Sequence, residues 1–432
     1  MAGTAATAAN AQETSVPRYG PALALLTTLF FMWGFISVIN GTLLPHLRSV
    51  FQLTYFQTGL IESVWFIGYL LASLPAAKLI ERIGYQRALT TGLLVMTTGS
   101  LGMILAAYLI SYPVTVASLF IVSCGIALLQ VAANPYVAVI GPAESSESRL
   151  TLVQAFNTTG DVLAIVFGKY LILARTTAGT VAQGTQLTEA QRMADARATE
   201  LPYLIVAIVL GILAFLIARA KLPELGASTR RIAAEQRRHL SLWNHRNLML
   251  GCVGIALCVL AEICVGSYFI NFVSQPSIAN LTQEHAATYL ILFWGGMMVG
   301  RFASAALMRA IAPEKVLAVF ATIAVVGSLM AVFVTGPAAM YGLITVGLGI
   351  SLMFPTIFAL AIRGLGPLTE EGSGLLIMSI AGGALASVQG KIGDLYGLHW
   401  GFLVPAGCAL YVLFYALWGS KPTNALPPEQ LT

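Results

Sequence analysis

A series of long apolar runs constrains this chain more than any other feature of its sequence. A helix rises ~1.5 Å per residue, so about 20 apolar residues span the ~30 Å hydrocarbon core of a bilayer. The chain contains about twelve such runs, at 21–45, 57–78, 88–110, 113–140, 150–173, 201–220, 248–274, 286–308, 314–335, 338–362, 373–395 and 399–419. The sequence therefore predicts an all-α polytopic membrane protein with about twelve transmembrane helices.

The composition agrees with a membrane protein. Of the 432 residues, 57% are hydrophobic and only 9% are charged, whereas a soluble domain is about 25% charged. The net charge of +5 comes from arginines clustered in loops, which is typical of membrane topology and not of nucleic-acid binding. The five cysteines lie in apolar runs and indicate neither a disulfide framework nor a metal site. Because the first 20 residues lack a signal-peptide pattern, we expect an uncleaved first span.

A basic interval divides the spans into two groups of six. We therefore predict an N-terminal bundle over 1–220, a linker over 221–247 and a C-terminal bundle over 248–432. The basic residues of the linker are Lys221, Arg230, Arg231, Arg237, Arg238 and Arg246. The positive-inside rule places such a loop in the cytoplasm. Both termini are then cytoplasmic, and we expect the chain in the inner (cytoplasmic) membrane of a bacterium.

The two groups of spans resemble each other weakly. ANPYVAVIGP before the fifth span matches FPTIFALAIRGLGP before the eleventh, with Pro135 and Pro355 at corresponding places. Gly68, upstream of the second-to-third connection, has a counterpart in Gly300. Two six-span halves joined by a basic loop predict a transporter whose halves rock about a site between them.

Polar faces on the fourth and fifth spans point to that site. Gln130 and Asn134 are four apart and share one helix face, and Gln154, Asn157 and Asp161 share another at i, i+3 and i+7. Polar side chains at membrane depth are costly unless they face protein, water or solute. Interhelical hydrogen bonding explains one or two of them. Five on two consecutive spans favour a solute path.

Further polar groups accompany aromatic rings on other spans. Trp33, Ser37 and Asn40 repeat at i, i+4 and i+7 in the first span, which combines a ring with two polar groups. Sugars are bound by such mixtures, although Trp33 also suits an ordinary packing or interfacial role. The second half offers a corresponding set, Ser267, Asn271 and Trp294.

Three carboxyl groups lie inside spans and away from the span ends. Glu62 lies early in the second span, where it is a candidate for proton coupling or reaches the interface and pairs with Arg48. Glu262 lies near the midplane of the seventh span, where burial favours a neutral carboxyl; it is a coupling residue or a sugar ligand. Asp161 is also a coupling candidate, but if the fifth and eighth spans are neighbours we favour a structural ion pair with Arg301.

Specific segments resemble a known family. AKLIERIGYQR, which contains Lys78, Glu81, Arg82 and Arg87, resembles the loop signature of the major facilitator superfamily, with glutamate where aspartate is usual. The chain is more specifically similar to the bacterial fucose–galactose–glucose:proton symporters, and closer to their glucose/galactose branch. This resemblance rests on FFMWGF…N…LLPHL, FQTGLIES…FIGY, QVAANPYVAVIGP, SRLTLVQAFN, AEICVGSYFIN, SLMFPTIFALAIRGLG and GSGLLIMSIAGGA.

The resemblance implies the major facilitator fold and import of a monosaccharide by alternating access, with proton coupling. The acids that the family typically carries in the first and fourth spans correspond here to Gly41 and Gln130, which exchange no proton. Glu62 lies at comparable depth and is the better candidate for coupling, whereas Glu262 matters more for sugar binding. Uniport of a sugar, transport of an amino sugar or uronate, and a non-transporting sugar sensor remain alternatives.

The remaining expectations concern gating and partners. Lys78, Glu81, Arg82 and Arg87 are predicted to gate the cytoplasmic side without contacting substrate, since charges at helix ends pair in one state and separate in the other. The sequence carries no Ser/His/Asp set, phosphate loop or metal-ligand spacing, so we expect neither an enzyme nor a cofactor. The expected partners are a monosaccharide, a proton and the lipid bilayer, and the expected state is a monomer.

Overall fold

The structure is a computed structural model of the chain. It describes residues 19–42, 55–167, 188–197, 199–220, 222 and 241–422. Every regular secondary-structure element in these ranges is a helix, so the all-α fold class predicted from the apolar runs is confirmed.

Six long helices precede the linker. They are α1 Gly20–Thr42, α2 Tyr55–Ile83, α3 Tyr85–Leu109, α4 Tyr112–Val139, α5 Ser146–Phe167 and α6 Glu200–Arg219. Six helical segments, three of them interrupted, follow it. They are α7 Arg246–Val273, α8 Gln283–Leu307, α9 Pro313–Phe333, α10 Pro337–Ile350 with Met353–Ile362, α11 Thr369–Met378 with Ser379–Ala386 and Ser387–Tyr396, and α12 Leu398–Gly401 with Leu403–Phe414 and Tyr415–Gly419.

Eleven of these helices are long and apolar enough to cross a membrane. Among the long helices that the structure describes, α5 is the exception. Its first turns carry Glu147 and Arg149, and its middle carries Asp161, so its polarity and not its length separates it from the others. The prediction of about twelve spans is therefore confirmed as eleven apolar helices and one polar helix.

The two ends of the bundle are distinguished by their connections. α6 ends and α7 begins at one end, which we call the linker side, and we call the other end the opposite side. Because consecutive helices run in alternating directions, α5 and α7 begin at the linker side whereas α2, α8 and α10 end there.

α1 and α5 pack backbone to backbone through two glycines. A Cβ on Gly160 would overlap the carbonyl oxygen of Phe31 and lie 3.0 Å from the backbone nitrogen of Phe35. A Cβ on Gly34 would overlap the carbonyl oxygen of Asn157 in the same way. Small residues permit this close approach of membrane helices, which presents the polar face of α5 directly to α1.

The internal resemblance between the halves is visible in packing. A Cβ on Gly68 of α2 would overlap the side-chain oxygen of Ser123 on α4, and a Cβ on Gly300 of α8 would overlap that of Ser351 on α10. The correspondence of Gly68 with Gly300 inferred from the sequence is thus confirmed as the same helix contact made once in each half.

Side chains of neighbouring helices cap two helix ends of the first half. Gln86 Nε2 at the start of α3 donates to the carbonyl oxygens of Ile217 (2.8 Å) and Ala220 (2.7 Å) at the end of α6. Arg149 Nη2 of α5 donates to the carbonyl oxygen of Ala138 (2.7 Å) at the end of α4. The last carbonyls of a helix lack partners inside it and carry partial negative charge, so these donors stabilise both ends.

The second half contains an equivalent cap. Asn247 Nδ2 at the start of α7 donates to the carbonyl oxygens of Ala361 and Arg363, both at 3.0 Å, at the end of α10. All three capped ends lie on the linker side. Each cap joins two helices of the same half and none joins the two halves.

α10 is interrupted where the sequence predicts one continuous span. The break falls at Ser351 and Leu352. Pro355 has no N–H to donate to the carbonyl oxygen of Ser351, four residues earlier. Arg301 Nε of α8 donates to that oxygen instead, at 2.9 Å. The proline therefore frees a carbonyl at membrane depth, and an arginine from the adjacent helix satisfies it.

Candidate functional site

The amides predicted on α4 and α5 come together between these helices. Gln130 Nε2 donates to the hydroxyl of Tyr69 on α2 at 2.6 Å. Gln154 Nε2 donates to Asn134 Oδ1 at 3.4 Å. Gln130, Asn134 and Gln154 are at most 4% exposed. The two polar faces therefore meet as predicted, but in this conformation they are sealed and contact each other.

This amide cluster retains unused hydrogen-bonding capacity. Gln130 Oε1 and Asn134 Nδ2 are buried, and neither has a hydrogen-bond partner among the described residues. Buried polar atoms are nearly always paired, and a hydroxyl group both donates and accepts. The unused acceptor and donor therefore suit a hydroxyl-bearing ligand.

Other predicted residues, on α1 and α5, contact the protein itself. Asn157 Nδ2 donates to the carbonyl oxygen of Phe30 on α1 at 2.8 Å. Trp33 is 6% exposed, and its ring lies 4.8 Å from that of Phe30. Ser37 Oγ donates to the carbonyl oxygen of Trp33 at 3.0 Å. In this conformation Asn157 fastens α5 to α1, and Trp33 takes the packing role that its sequence position also allowed.

Two predicted residues fall where the structure does not describe side chains. The backbones of Asn40 and Glu62 belong to α1 and α2, but their side chains lie outside the described part. Sugar contact by Asn40 and coupling by Glu62 therefore stay predictions.

The accessible polar groups lie on α7 and α8. Glu262 is half-buried near the middle of α7, and Ser267 and Asn271 are exposed farther along it. The half-buried ring of Trp294 on α8 lies over Gly266, whose Cβ would be 3.5 Å from Trp294 Cζ2. The second half thus presents a carboxyl one helical turn from an aromatic ring, the combination expected at a sugar site.

Arg301 of α8 links the two halves. Its side chain is 6% exposed, and Nη1 donates to the carbonyl oxygen of Gln154 at 3.0 Å and to the hydroxyl of Thr158, both on α5. The predicted ion pair between Asp161 and Arg301 is wrong, since no direct ion pair joins these two described residues. Asp161 lies one turn beyond the guanidinium and interacts with it only through space, as Glu262 does.

The α5–α8 seam closes the linker side of the bundle. Ser148 Oγ of α5 donates to the carbonyl oxygen of Ala305 on α8 at 2.6 Å. Farther in, the rings of Phe156 and Phe302 meet edge to face with centroids 5.6 Å apart. The seam continues to the Arg301 contacts. These helices therefore hold the two halves together from the linker side to about mid-depth.

The charged residues predicted to gate lie at the linker-side ends of α2 and α3, near a second contact between the halves. The linker-side end of α2 packs against α11 of the other half at Gly374. Lys78 and Arg82 of α2 and Arg87 of α3 are exposed, and Glu81 of α2 is half-buried. Their location suits a gate, whereas their role in gating stays a prediction.

An ion bridge that the sequence analysis missed also joins the halves. Arg363 Nε donates to Glu147 Oε1 at 2.8 Å, and Arg363 Nη1 to Glu314 Oε1 at 2.6 Å. Glu147 begins α5 in the first half, whereas Arg363 and Glu314 belong to the second. The sequence feature that could have indicated this bridge is Arg363 itself, a lone arginine directly after the apolar run of α10. Its partners were not deducible because they lie far away in the chain.

The fold and the site together define a class of protein. Two six-helix halves meet through polar contacts at one side of the membrane and carry polar and aromatic groups between them. This arrangement is that of a secondary transporter. The sequence model described as Major Facilitator Superfamily matches residues 25–388. The chain belongs to the major facilitator superfamily.

The chain is similar to named sugar transporters. It is 43% identical over 411 residues to a glucose/galactose transporter of Brucella abortus biovar 1 (strain 9-941), covering 95% of this chain and 97% of the relative. It is 32% identical to an L-fucose-proton symporter of Escherichia coli (strain K12), covering 92% and 93%. The resemblance drawn from the motifs is confirmed, including the greater similarity to the glucose/galactose branch.

A solved structure shares the fold. The crystal structure of the major facilitator transporter FucP in the outward conformation matches with a TM-score of 0.84 and 31% identity. The match covers 93% of this chain and 99% of that one. The major facilitator fold expected from the resemblance is confirmed.

Proposed function

We propose that this protein is a secondary active transporter that imports a hexose such as glucose or galactose by alternating access, coupled to protons. The observation that carries the proposal is the 43% identity to a glucose/galactose transporter along nearly the whole of both chains. The carboxyl and ring on α7 and α8 and the unused hydrogen-bonding atoms of the amide cluster suit a hydroxyl-rich solute. Sugar ligands are proposed at Trp33, Ser37, Asn40, Gln130, Asn134, Gln154, Asn157, Glu262, Ser267, Asn271 and Trp294.

Uptake of radiolabelled hexoses into proteoliposomes tests this function. We expect saturable uptake of labelled D-glucose or D-galactose that is inhibited by at least one of these two sugars in unlabelled form. We also expect the labelled sugar to accumulate when the vesicle interior is made alkaline. Absence of uptake and counterflow for every hexose in the panel would refute transport and favour a sensor. Competition by an amino sugar or uronate alone would reassign the substrate.

Sugar uniport is the second candidate, and one observation favours it. Gln130, which stands where the family typically carries an acid, binds Tyr69 through a neutral amide that exchanges no proton. A uniporter equilibrates sugar without responding to a pH gradient. Wild-type vesicles that take up sugar but never accumulate it would establish this alternative.

The orientation follows from the basic linker. We propose the inner (cytoplasmic) membrane as the location, with both termini and the linker side in the cytoplasm. The closed linker side then makes this conformation outward-facing. The proposed units are a bundle over 1–220 and a bundle over 248–432, joined by a cytoplasmic linker over 221–247, and we propose that the protein acts as a monomer. Protease cleavage of the linker in inside-out vesicles, but not in right-side-out vesicles, tests the orientation.

Changing Gln130 to alanine is expected to weaken sugar binding about fivefold. One hydrogen bond contributes about 1 kcal/mol, and Gln130 Oε1 is buried without a partner among the described residues. Binding in detergent measures the change. Ser100→Ala is the matched control, because Ser100 is a buried polar residue of α3 outside the cluster. Wild-type affinity in Gln130→Ala would remove this residue from the site.

Changing Glu81 to glutamine is expected to alter the transport rate severalfold while sugar affinity stays within about twofold, since helix-end charges bias opening and closing. Initial rates and equilibrium binding measured on the same preparation separate the two effects. Glu144→Gln is the control, an exposed acid on the same side. A large affinity loss with normal turnover would contradict a gating role for Glu81 and for its neighbours Lys78, Arg82 and Arg87.

A further inference from the structure

Arg301 is a buried cation whose contacts are all neutral. Nε donates to the carbonyl oxygen of Ser351, and Nη1 donates to the carbonyl oxygen of Gln154 and the hydroxyl of Thr158. These contacts fix the guanidinium where the α5–α8 seam ends, but they leave its charge uncompensated. Ionisable side chains inside membrane spans pair with backbone carbonyls or with one another, and an opposite charge nearby lowers the cost of burying the guanidinium further.

Two carboxyl groups supply the counter-charge from different halves. Asp161 lies on α5, one turn beyond Thr158, with Oδ1 against α1 where a Cβ on Gly34 would be 2.8 Å away. Glu262 lies on α7. Both carboxyls interact electrostatically with Arg301 and with each other. Both are half-buried whereas Arg301 is buried, so the carboxyls are less enclosed than the guanidinium.

Among the residues whose side chains the structure describes, the other groups that face this cluster carry no charge near neutral pH. Tyr69 of α2 interacts with Asp161, and Cys258 of α7 interacts with Glu262 and Arg301. A tyrosine hydroxyl and a cysteine thiol ordinarily ionise only in alkaline solution. The charge is therefore set by one cation and two carboxyls. With both carboxylates ionised the cluster carries −1, and one bound proton makes it neutral.

We propose that Asp161, Glu262 and Arg301 form one proton site that takes up a single proton per transport cycle, an inference that rests on the proposed function of proton-coupled sugar transport. One carboxylate accepts a proton from the opposite side while the linker side is closed. The neutral cluster then lies between the halves as they rock, and the proton leaves to the linker side. Arg301 is a positioning residue whose charge fixes the number of protons at one. The assignment replaces Glu62 as the preferred coupling residue.

Sugar transport in proteoliposomes tests the charge count, with D-galactose as the probe. Counterflow at equal pH requires no proton movement, whereas accumulation under an inside-alkaline gradient does. Asp161→Asn leaves Arg301 balanced by Glu262 alone, so the cluster is already neutral and takes up no proton. We therefore expect accumulation to fall at least tenfold, so that sugar only equilibrates across the membrane, whereas counterflow persists. In Asp161→Asn combined with Arg301→Gln, Glu262 alone carries −1, and we expect gradient-driven accumulation to return. A purely structural role of Asp161 or Arg301 predicts no such rescue.

The outcomes separate this inference from the function on which it rests. The matched control is Asp394→Asn, an exposed acid of α11 outside the cluster, which should accumulate sugar like the wild type. If Asp161→Asn still accumulates sugar, the proton-site inference is overturned but the proposed function stands. Loss of accumulation in Glu62→Gln would then assign proton coupling to α2. Wild-type vesicles with counterflow but no accumulation, or with neither, overturn the proposed function and the inference together. If the double variant does not fold, accumulation that survives in Asp161→Asn still refutes the inference.

Discussion

Changing Gly160 to valine is expected to abolish folded, monodisperse protein, and Gly160→Ala to lower the apparent Tm by about 5 °C or more. Even one methyl group at this position overlaps the carbonyl oxygen of Phe31, and backbone atoms do not move aside as a flexible side chain does. Overpacking typically costs about 1–3 kcal/mol, which corresponds to several degrees in Tm. Size-exclusion chromatography and thermal unfolding in detergent measure both effects.

The matched control is another glycine at the middle of a helix. A Cβ on Gly211 of α6 would have no atom within 4 Å, so Gly211→Ala adds the same methyl group without a clash. We expect its Tm to equal or exceed that of the wild type, because alanine is a better helix former than glycine. A Tm for Gly160→Ala equal to that of Gly211→Ala would show that α1 and α5 do not need their close approach.

Changing Arg363 to alanine is expected to raise the ratio of molecules with an open linker side to molecules with a closed one by about 30-fold. The change leaves Glu147, whose side chain is 1% exposed, without its counter-charge in the closed state. Breaking a buried pair costs about 3–5 kcal/mol, and the 38% exposure of Arg363 reduces this to about 2 kcal/mol through solvent screening. In the open state water solvates Glu147, so the closed state alone loses stability.

Labelling of a single cysteine measures that opening. Ala305→Cys, in a chain with its five native cysteines changed to serine, places the reporter inside the α5–α8 seam. A membrane-impermeant maleimide applied from the linker side should react about 30-fold faster when Arg363 is alanine. Arg309→Ala removes an exposed cation at the same side and should leave the rate unchanged. Adding Glu147→Gln to Arg363→Ala should restore part of the closure, and equal rates in all variants would refute the bridge as a gate.

The sequence predicted the fold well because a bilayer imposes a simple rule on it. The apolar runs set helix number, and the pairing of Gly68 with Gly300 correctly indicated a repeated helix contact. The break in α10 was missed because the effect of Pro355 depends on whether a neighbouring helix satisfies the carbonyl it frees. That donor, Arg301, lies 50 residues from Ser351.

The site was only partly predictable. Spacing correctly placed Gln130, Asn134 and Gln154 on facing surfaces, but spacing does not tell whether amides face a cavity or each other. For the same reason the ion pair of Asp161 with Arg301 was wrong: adjacency of α5 and α8 was correct, yet one helical turn decides whether a guanidinium meets a carboxylate or a hydroxyl. The bridge of Arg363 to Glu147 depends on how the halves are docked, which is a property of one conformation.

The helix-end caps stiffen each half of the molecule but not the contact between the halves. Gln86, Arg149 and Asn247 each fasten helices of a single half, so rocking of the halves breaks none of these bonds. The bonds that rocking must break are polar contacts such as Ser148 to Ala305, and water replaces them as the seam opens. Each half is thus a rigid body, and water can replace the polar contacts between the halves. This keeps the free-energy barrier between the two states low while each half retains its shape.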